Sequence, residues 1–294
     1  MNGINDEKGA AEIEFQESNH QKADLHLHTH YSDGICSPGE IIDKCKSQGI
    51  TTIAITDHDH IGGLKEAQQY GATVGVEVIT GVELSVEING QDIHILGYFF
   101  DPTNTEFLEV LSFFREERLK RAERMVQKLN ALNIPLTIDK VLQYSKQGAI
   151  GRPHIANAML HEGYVETYHE AFARYIGADC PAYEMKYHLS PQRAIDLLAQ
   201  AGGLSFLAHP GKYTTNGDIE ELVSLGLDGI ETIHPSHQEP QVHYYHAIAD
   251  RYFLLESGGS DYHGVTSFEE KNLGSYFVPN HNIVQMKKRL FEKK

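Results

Sequence analysis

The stretch Asp24-Leu25-His26-Leu27-His28 alternates polar and apolar residues and closes on Ser32-Asp33-Gly34. Period two belongs to a β-strand, where side chains two apart share a face. His26 and His28 are therefore expected to project together, with Asp33 just past the strand end. The same motif, an apolar run ending on polar groups, recurs along the chain. Residues 50–56 run into Asp57-His58-Asp59-His60, and residues 76–79 lead to Gly81-Val82-Glu83. Residues 203–208 end at His209-Pro210-Gly211, residues 229–233 at His234-Pro235, and residues 252–255 lead to Gly258-Gly259-Ser260-Asp261-Tyr262-His263-Gly264. Helical patterns at residues 38–48, 191–201 and 219–225 lie between them. Such alternation predicts an α/β fold with parallel strands.

Two segments depart from it. Residues 82–88 and 92–99 flank Asn89-Gly90, the strongest short hairpin signal. Residues 104–189 are helical without clear strands and read as an insertion, a lid, between two barrel strands. The expected organisation is a flexible N-terminal tail over 1–22, barrel over 23–103, helical insertion over 104–189 and barrel again over 190–294.

Composition narrows the function classes. A chain of 294 residues with 40% hydrophobic content can bury a large core. No apolar run approaches the ~20 residues of a membrane span, and residues 1–21 carry no apolar signal core. Cys36, Cys45 and Cys180 are odd in number and scattered, which points to a reducing cytoplasm and no disulfide framework. With no apolar run long enough to span a membrane, no membrane partner is expected; a net charge of −16 argues against duplex DNA, but a few arginines and metal ions can still hold a small phosphorylated substrate.

In parallel barrels the strand ends meet at one face. His26, His28, Asp33, His58, Glu83, His94, His209, Asp261 and His263 can converge there. That is too many donors for one ion, and it suits two or three divalent ions bridged by a carboxylate. Asp24 and Asp57 sit beside these residues, either to orient an imidazole or to serve the fold.

The motifs together resemble the PHP (polymerase and histidinol phosphatase) family: His-Leu-His with Ser-Asp-Gly, Ile-Thr-Asp-His-Asp, Gly-Val-Glu, Asp-Ile-His-Ile-Leu-Gly, Ala-His-Pro-Gly and Gly-Gly-Ser-Asp-Tyr-His-Gly, in the family's order. The resemblance implies a distorted (β/α)7 barrel with a trinuclear metal centre. It assigns His26, His28, Glu83 and Asp261 to a first ion, and has Glu83 bridge to a second held by His94 and His209. Asp33, His58 and His263 go to a third. Glu83, Asp261 and His209 are thereby the catalytic core. On family grounds the metal is Mn²⁺, with Fe or Zn as alternatives.

The anion side begins on the helix expected at residues 106–132. At about 100° per residue, Leu111, Phe114, Ala122, Met125 and Leu129 form one apolar arc. Arg118 falls near its middle, Arg115 at its edge, and Arg124 points away. A guanidinium on a buried stripe needs an anionic partner, either an internal carboxylate or a substrate phosphate. Gly151-Arg152-Pro153-His154 opens a helix where backbone N–H groups favour anions. These features resemble the PHP subgroup of nucleoside 3′,5′-bisphosphate phosphatases and RNase AM-type 5′→3′ exoribonucleases. The resemblance carries substrate contacts to Arg118, Arg152 and His154, and further to Arg115, Lys212, His234 and His237. Lys212 stands where that subgroup commonly has arginine. The implied reaction is hydrolysis of nucleotide phosphate monoesters, or of short 5′-phosphorylated oligonucleotides, by a metal-activated hydroxide. The competing readings are a histidinol-phosphatase-like enzyme, an amidohydrolase-like enzyme and a non-catalytic metal module.

Overall fold

The computed structural model describes residues 21–145, 148–211 and 214–292, and its first element, β1 (Lys22–Leu27), is the strand the alternation predicts. β1 begins at Lys22, the last residue of the segment expected as a tail. Lys22 pairs with Pro279, and the Gln21 carbonyl accepts the Asn280 N–H at 2.9 Å, while residues 1–20 lie outside the described residues. Lys212 lies outside them too.

The strands that follow are β2 (Ile50–Ile55), β3 (Glu77–Ile79), β4 (Gly81–Ile88), β5 (Gln91–Tyr98), β6 (Leu204–Leu207), β7 (Gly229–Ile233), β8 (Leu255–Gly258) and β9 (Val278–Pro279). They form two sheets, one ordered β3-β2-β1-β9 and one ordered β4-β5-β6-β7-β8. The parallel expectation holds for β1–β2–β3 and for β6–β7–β8 only. β5 runs antiparallel to both β4 and β6, and β9 runs antiparallel to β1. The cause is local: Thr80 alone joins β3 to β4, and Asn89-Gly90 joins β4 to β5 with both residues at positive φ, 52° and 78°. Such a turn reverses the chain and leaves no room for a crossover helix. No ladder closes the sheets into a barrel among the described residues. They touch instead through single parallel bridges, Leu27 to Tyr262 and His58 to Glu83.

The helices are α1 (Pro38–Ser47), α2 (Leu64–Val74), α3 (Thr105–Ala131), α4 (Ile138–Ser145), α5 (Arg152–His161), α6 (Tyr168–Ala171), α7 (Pro191–Gln200), α8 (Asn216–Ser224), α9 (Glu239–Tyr252), α10 (Glu269–Asn272) and α11 (Asn280–Glu292), with a π-turn at Phe172–Ile176. A strand was expected at residues 252–255, but Tyr252 ends α9, and Phe253, at φ 55°, caps it while Leu254 N–H bonds back to Ala249. The left-handed cap satisfies the last helical carbonyls, so β8 starts later. No helix among the described residues is long and apolar enough to cross a membrane.

Two packed clusters explain how the site is held. Phe107, Leu111 and Phe114 of α3 pack with β4, β5, α7 and α9. Further along α3, Ala122, Met125 and Leu129 pack with α4, α5 and Ala182 in a second cluster drawn wholly from residues 122–182. One long helix thus roots in the sheet core and carries a separate helical core. Truncating Phe107 or Phe114 to Ala would cost ~3–5 kcal/mol.

Candidate metal centre

The donors gather where the two sheets meet. His26 and His28 are fully buried, and their Nε2 atoms face Glu83 Oε2 at 3.4 and 3.2 Å and Asp261 Oδ1 at 3.3 and 3.1 Å. On the other side of Glu83, Oε1 lies 2.8 Å from His94 Nδ1 and 2.9 Å from His209 Nε2. Asp33 stands behind the His28 ring: Oδ1 is 3.9 Å from His28 Nδ1 and 3.3 Å from His263 Nε2, and Oδ2 is 3.8 Å from His58 Nε2. His58 faces both ways, since its Nδ1 lies 3.0 Å from Glu83 Oε2.

Two of these residues arise differently from what strand ends alone suggest. Glu83 is the third residue of β4 and His94 sits within β5, so neither follows a strand. The antiparallel hairpin places them at the cluster, and the His58–Glu83 bridge fixes the seam. His209 and Asp261, at φ 24° and 48°, hold left-handed backbone at the ends of their runs, a strain typical of functional sites.

The cluster fits divalent ions. His26 Nε2, His28 Nε2, Asp33 Oδ1, His58 Nδ1 and Glu83 Oε2 are all buried without a hydrogen-bond partner. With metal–nitrogen bonds of about 2.1 Å, neighbouring ligand atoms stand about 3.0–3.4 Å apart. The contacts of His26 and His28 to Glu83 and Asp261 span 3.1–3.4 Å. Four overlapping groups could each hold an ion: His28-Asp33-His58-His263, His26-His234-Asp261, His26-His28-Glu83 and His58-Glu83-His94.

The electrostatics favour the same reading. Burial pushes the Glu83 carboxyl up, but His94, His58 and His26 outweigh it and hold it well below the usual range. Asp33 and Asp261 are held low in the same way, by His58 and His263 and by His26 and His234. Burial draws His58 down to about 3, whereas Asp33 and Asp261 lift His263 to about 10 against burial. Carboxylates kept anionic beside imidazoles offer the donor types that divalent cations bind.

The substrate-side residues divide. Arg118 is 11% exposed; its Nε gives a 3.0 Å bond to Asp59 Oδ2, Nη2 bonds the same oxygen, and Nη1 reaches the Ile150 carbonyl at 3.3 Å. The internal carboxylate is therefore present. Arg152 places its guanidinium over the Phe172 and Tyr183 rings. His154, 5% exposed, accepts the Gly151 N–H at Nδ1, 2.9 Å away, and tethers the start of α5. His234 directs Nε2 at Asp261 Oδ2, 3.2 Å away, and so stands among the donors. His237 uses both nitrogens on backbone, Thr232 O at 3.0 Å and Gly211 N at 3.4 Å; it anchors the loop after His209 and has no nitrogen left for a substrate. Arg115 lines a separate cavity with His60 and Lys65.

Neither Asp24 nor Asp57 bonds an imidazole directly, although Ser32 Oγ, which donates to Asp57 at 2.6 Å, lies 3.4 Å from His28 Nδ1. Asp24 Oδ1 accepts the His26 and Ser260 N–H groups, and Asp57 holds Thr29 and Ser32. The orienting carboxylate is Glu231, fully buried on β7: Oε1 accepts His26 Nδ1–H at 2.9 Å and Oε2 accepts the His209 N–H at 2.6 Å. Its signal in the sequence was a charge inside the apolar run Gly229-Ile230-Glu231-Thr232-Ile233. Also missed were Arg121, 6% exposed with Nε on the Glu184 carbonyl, and Lys186, whose Nζ lies 2.8 Å from Asp92 Oδ1 and 3.2 Å from His94 Nε2. Arg121 lies one helical turn past Arg118, and Lys186 sits in a segment with no regular period to expose it. Cys36 is buried, and burial pushes its thiol up, which disfavours a nucleophile.

Comparison with known proteins is specific. The chain is 34% identical over 246 residues to a 3′,5′-nucleoside bisphosphate phosphatase of Chromobacterium violaceum, covering 82% of this chain and 86% of that one. It is 34% identical over 248 residues to a 5′-3′ exoribonuclease of Haemophilus influenzae, covering 83% and 90%. A solved structure from Bifidobacterium adolescentis, assigned as a metal-dependent phosphoesterase, superposes with a TM-score of 0.84 at 30% identity over 92% of this chain and 96% of that one. The PHP domain matches residues 24–199. The chain belongs to the PHP domain family, as a metal-dependent phosphoesterase.

Proposed function

We propose that the chain hydrolyses phosphate monoesters of nucleotides, such as nucleoside 3′,5′-bisphosphates or AMP, and short 5′-phosphorylated oligonucleotides. The observation that carries this reading is a group of cations with too few anions. Arg121 has no carboxylate partner among the described residues, and Arg118 and Arg152 are close enough to depress its charged form further after burial. Lys186, paired with Asp92 at 2.8 Å, stands beside His94, as Arg118 stands paired with Asp59, so that Arg121 and Arg152 are the cations left over. A substrate with two phosphates answers that excess. The names of the two relatives point the same way.

In this reading His26, His28, Glu83 and Asp261 hold a first ion, Glu83, His94 and His209 a second, and Asp33, His58 and His263 a third. The donor set of imidazole and carboxylate suits Mn²⁺, with Fe or Zn as alternatives. When bound, the ions supply Lewis acidity and a water that ionises near neutral pH. The chain's own residues do the rest. Arg118, held by Asp59, and Arg121 and Arg152 orient and neutralise phosphate oxygens, while Glu231 fixes the His26 ring. Residues 104–189 act as the lid over a distorted (β/α)7 barrel formed by 23–103 and 190–294, in a cytoplasmic enzyme.

The test is a Mn²⁺ panel of adenosine 3′,5′-bisphosphate, 5′-mononucleotides, 5′-phosphorylated RNA and histidinol phosphate. The highest kcat/KM is expected on a nucleotide. A highest value on histidinol phosphate would sink the nucleotide assignment.

A further inference from the structure

In chain order α3 is the next helix after α2. β3 passes to β4 through Thr80, and β4 to β5 through two residues, so no helix stands between α2 and α3. A cavity of about 440 Å³ lies between α2, α3 and the loops at residues 60–62 and 102–103. This is within the ~300–1,000 Å³ of small-molecule sites. Leu64 of α2 and Leu108 and Leu111 of α3 give it apolar walls. Lys65, Arg115 and His60 also line it, and no carboxylate does among the described residues. Leu108 is 42% exposed, so the cavity opens to solvent.

The cations are uncommitted. Arg118 is tied to Asp59, and Arg124 lies 3.6 Å from Glu184. Arg115 on the same helix makes no ion pair among the described residues, nor does Lys65. Two cations over an apolar floor without a carboxylate match one ligand chemistry: the anionic group meets the guanidinium and ammonium, and the apolar body covers the leucines. The cavity is also distinct from the metal cluster. The segment His58–Gly62 stands between them, with the His58 ring facing Glu83, Asp59 facing Arg118 and His60 through Gly62 facing the cavity.

We propose that the cavity between α2 and α3 is a second binding site, for a small organic anion with an apolar body. The proposal does not depend on the substrate of the metal centre. A ligand there touches the segment that carries His58 and Asp59, so the site has a direct mechanical link to the cluster.

The test is fluorescence titration of the Mn²⁺-loaded full chain with 1-anilinonaphthalene-8-sulfonate, an apolar body bearing one sulfonate. One saturable site is expected, displaced by octanoate but by neither octylamine nor inorganic phosphate. Arg115→Gln and the cavity-filling Leu108→Trp should each weaken binding about tenfold, with unchanged circular dichroism and Tm. Binding indifferent to either variant would overturn the site. Equal displacement by octylamine would overturn the anionic class, and displacement by inorganic phosphate would return the probe to the metal centre. Should Arg115→Gln lower the Tm, Lys65→Gln is the substitute, judged by the same tenfold criterion.

Discussion

Glu231→Gln isolates the carboxylate that holds the metal centre from behind. Glu231 has no solvent exposure, and its two oxygens each accept one bond, from His26 Nδ1–H at 2.9 Å and from the His209 N–H at 2.6 Å. Gln keeps the volume and can still accept one of them. Its amide NH₂ then faces the second donor, so a buried N–H is left unpaired. A hydrogen bond to a charged group contributes ~1.5–3 kcal/mol, and an unsatisfied buried donor costs ~1–3 kcal/mol. The carboxylate also raises the basicity of the His26 ring. Loss of such a partner lowers metal affinity ~10–100-fold, or about 1.4–2.7 kcal/mol, in keeping with the hydrogen-bond figures. The assay is Mn²⁺ affinity by isothermal titration, with metal content after dialysis read by mass spectrometry. A Kd within twofold of wild type, in a variant of unchanged circular dichroism, would refute the argument.

Arg118→Ala strands the Asp59 carboxylate, which is fully buried; urea unfolding should show a loss of about 3–5 kcal/mol, and kcat/KM should fall while metal content holds. Gly259→Ala would set a Cβ 2.5 Å from both His26 N and Asp24 Oδ1; a stability loss of ~1–3 kcal/mol and weaker metal binding are expected, and a neutral result would mean that β1 can move freely. Asp24→Asn tests pH dependence in chelator. Burial pushes Asp24 up to about 7 against hydrogen bonds from Ser260 and His26. Because the folded value is raised, its contribution is fully present below the unfolded value near 4 and is lost as pH rises through about 7. The variant should therefore match wild type near pH 4 and exceed it in Tm at pH 8, and a constant difference across that range would contradict the shift.

How far the sequence reached can be judged on particular residues. β1 and the pairing of His26 with His28 on one face follow from period two, which is local geometry. Asn89-Gly90 announces its turn because both residues tolerate positive φ. The helix of α3 shows its apolar arc at Leu111, Phe114 and Met125, all buried. Motif order was enough to gather nine candidate donors spread over residues 26–263, and to name the family. Fine partnering was not legible. Nothing local says that Arg118 meets Asp59, that His237 is spent on backbone, or that His234 turns to Asp261.

The sequence by itself showed β1, the Asn89-Gly90 turn, the arc of α3, the candidate donors and the family, because periodicity, turn chemistry and motif spacing are properties of neighbouring residues. Tertiary structure alone decided which charges are already answered and which stand free. Glu231 became the brace of His26, Arg115 turned to a cavity apart from the cluster, and Glu83 entered the site through an antiparallel hairpin and not a parallel strand end. Each of those outcomes rests on contacts between segments far apart in the chain, where the burial of a charge makes its partner obligatory but local spacing does not say which partner it is.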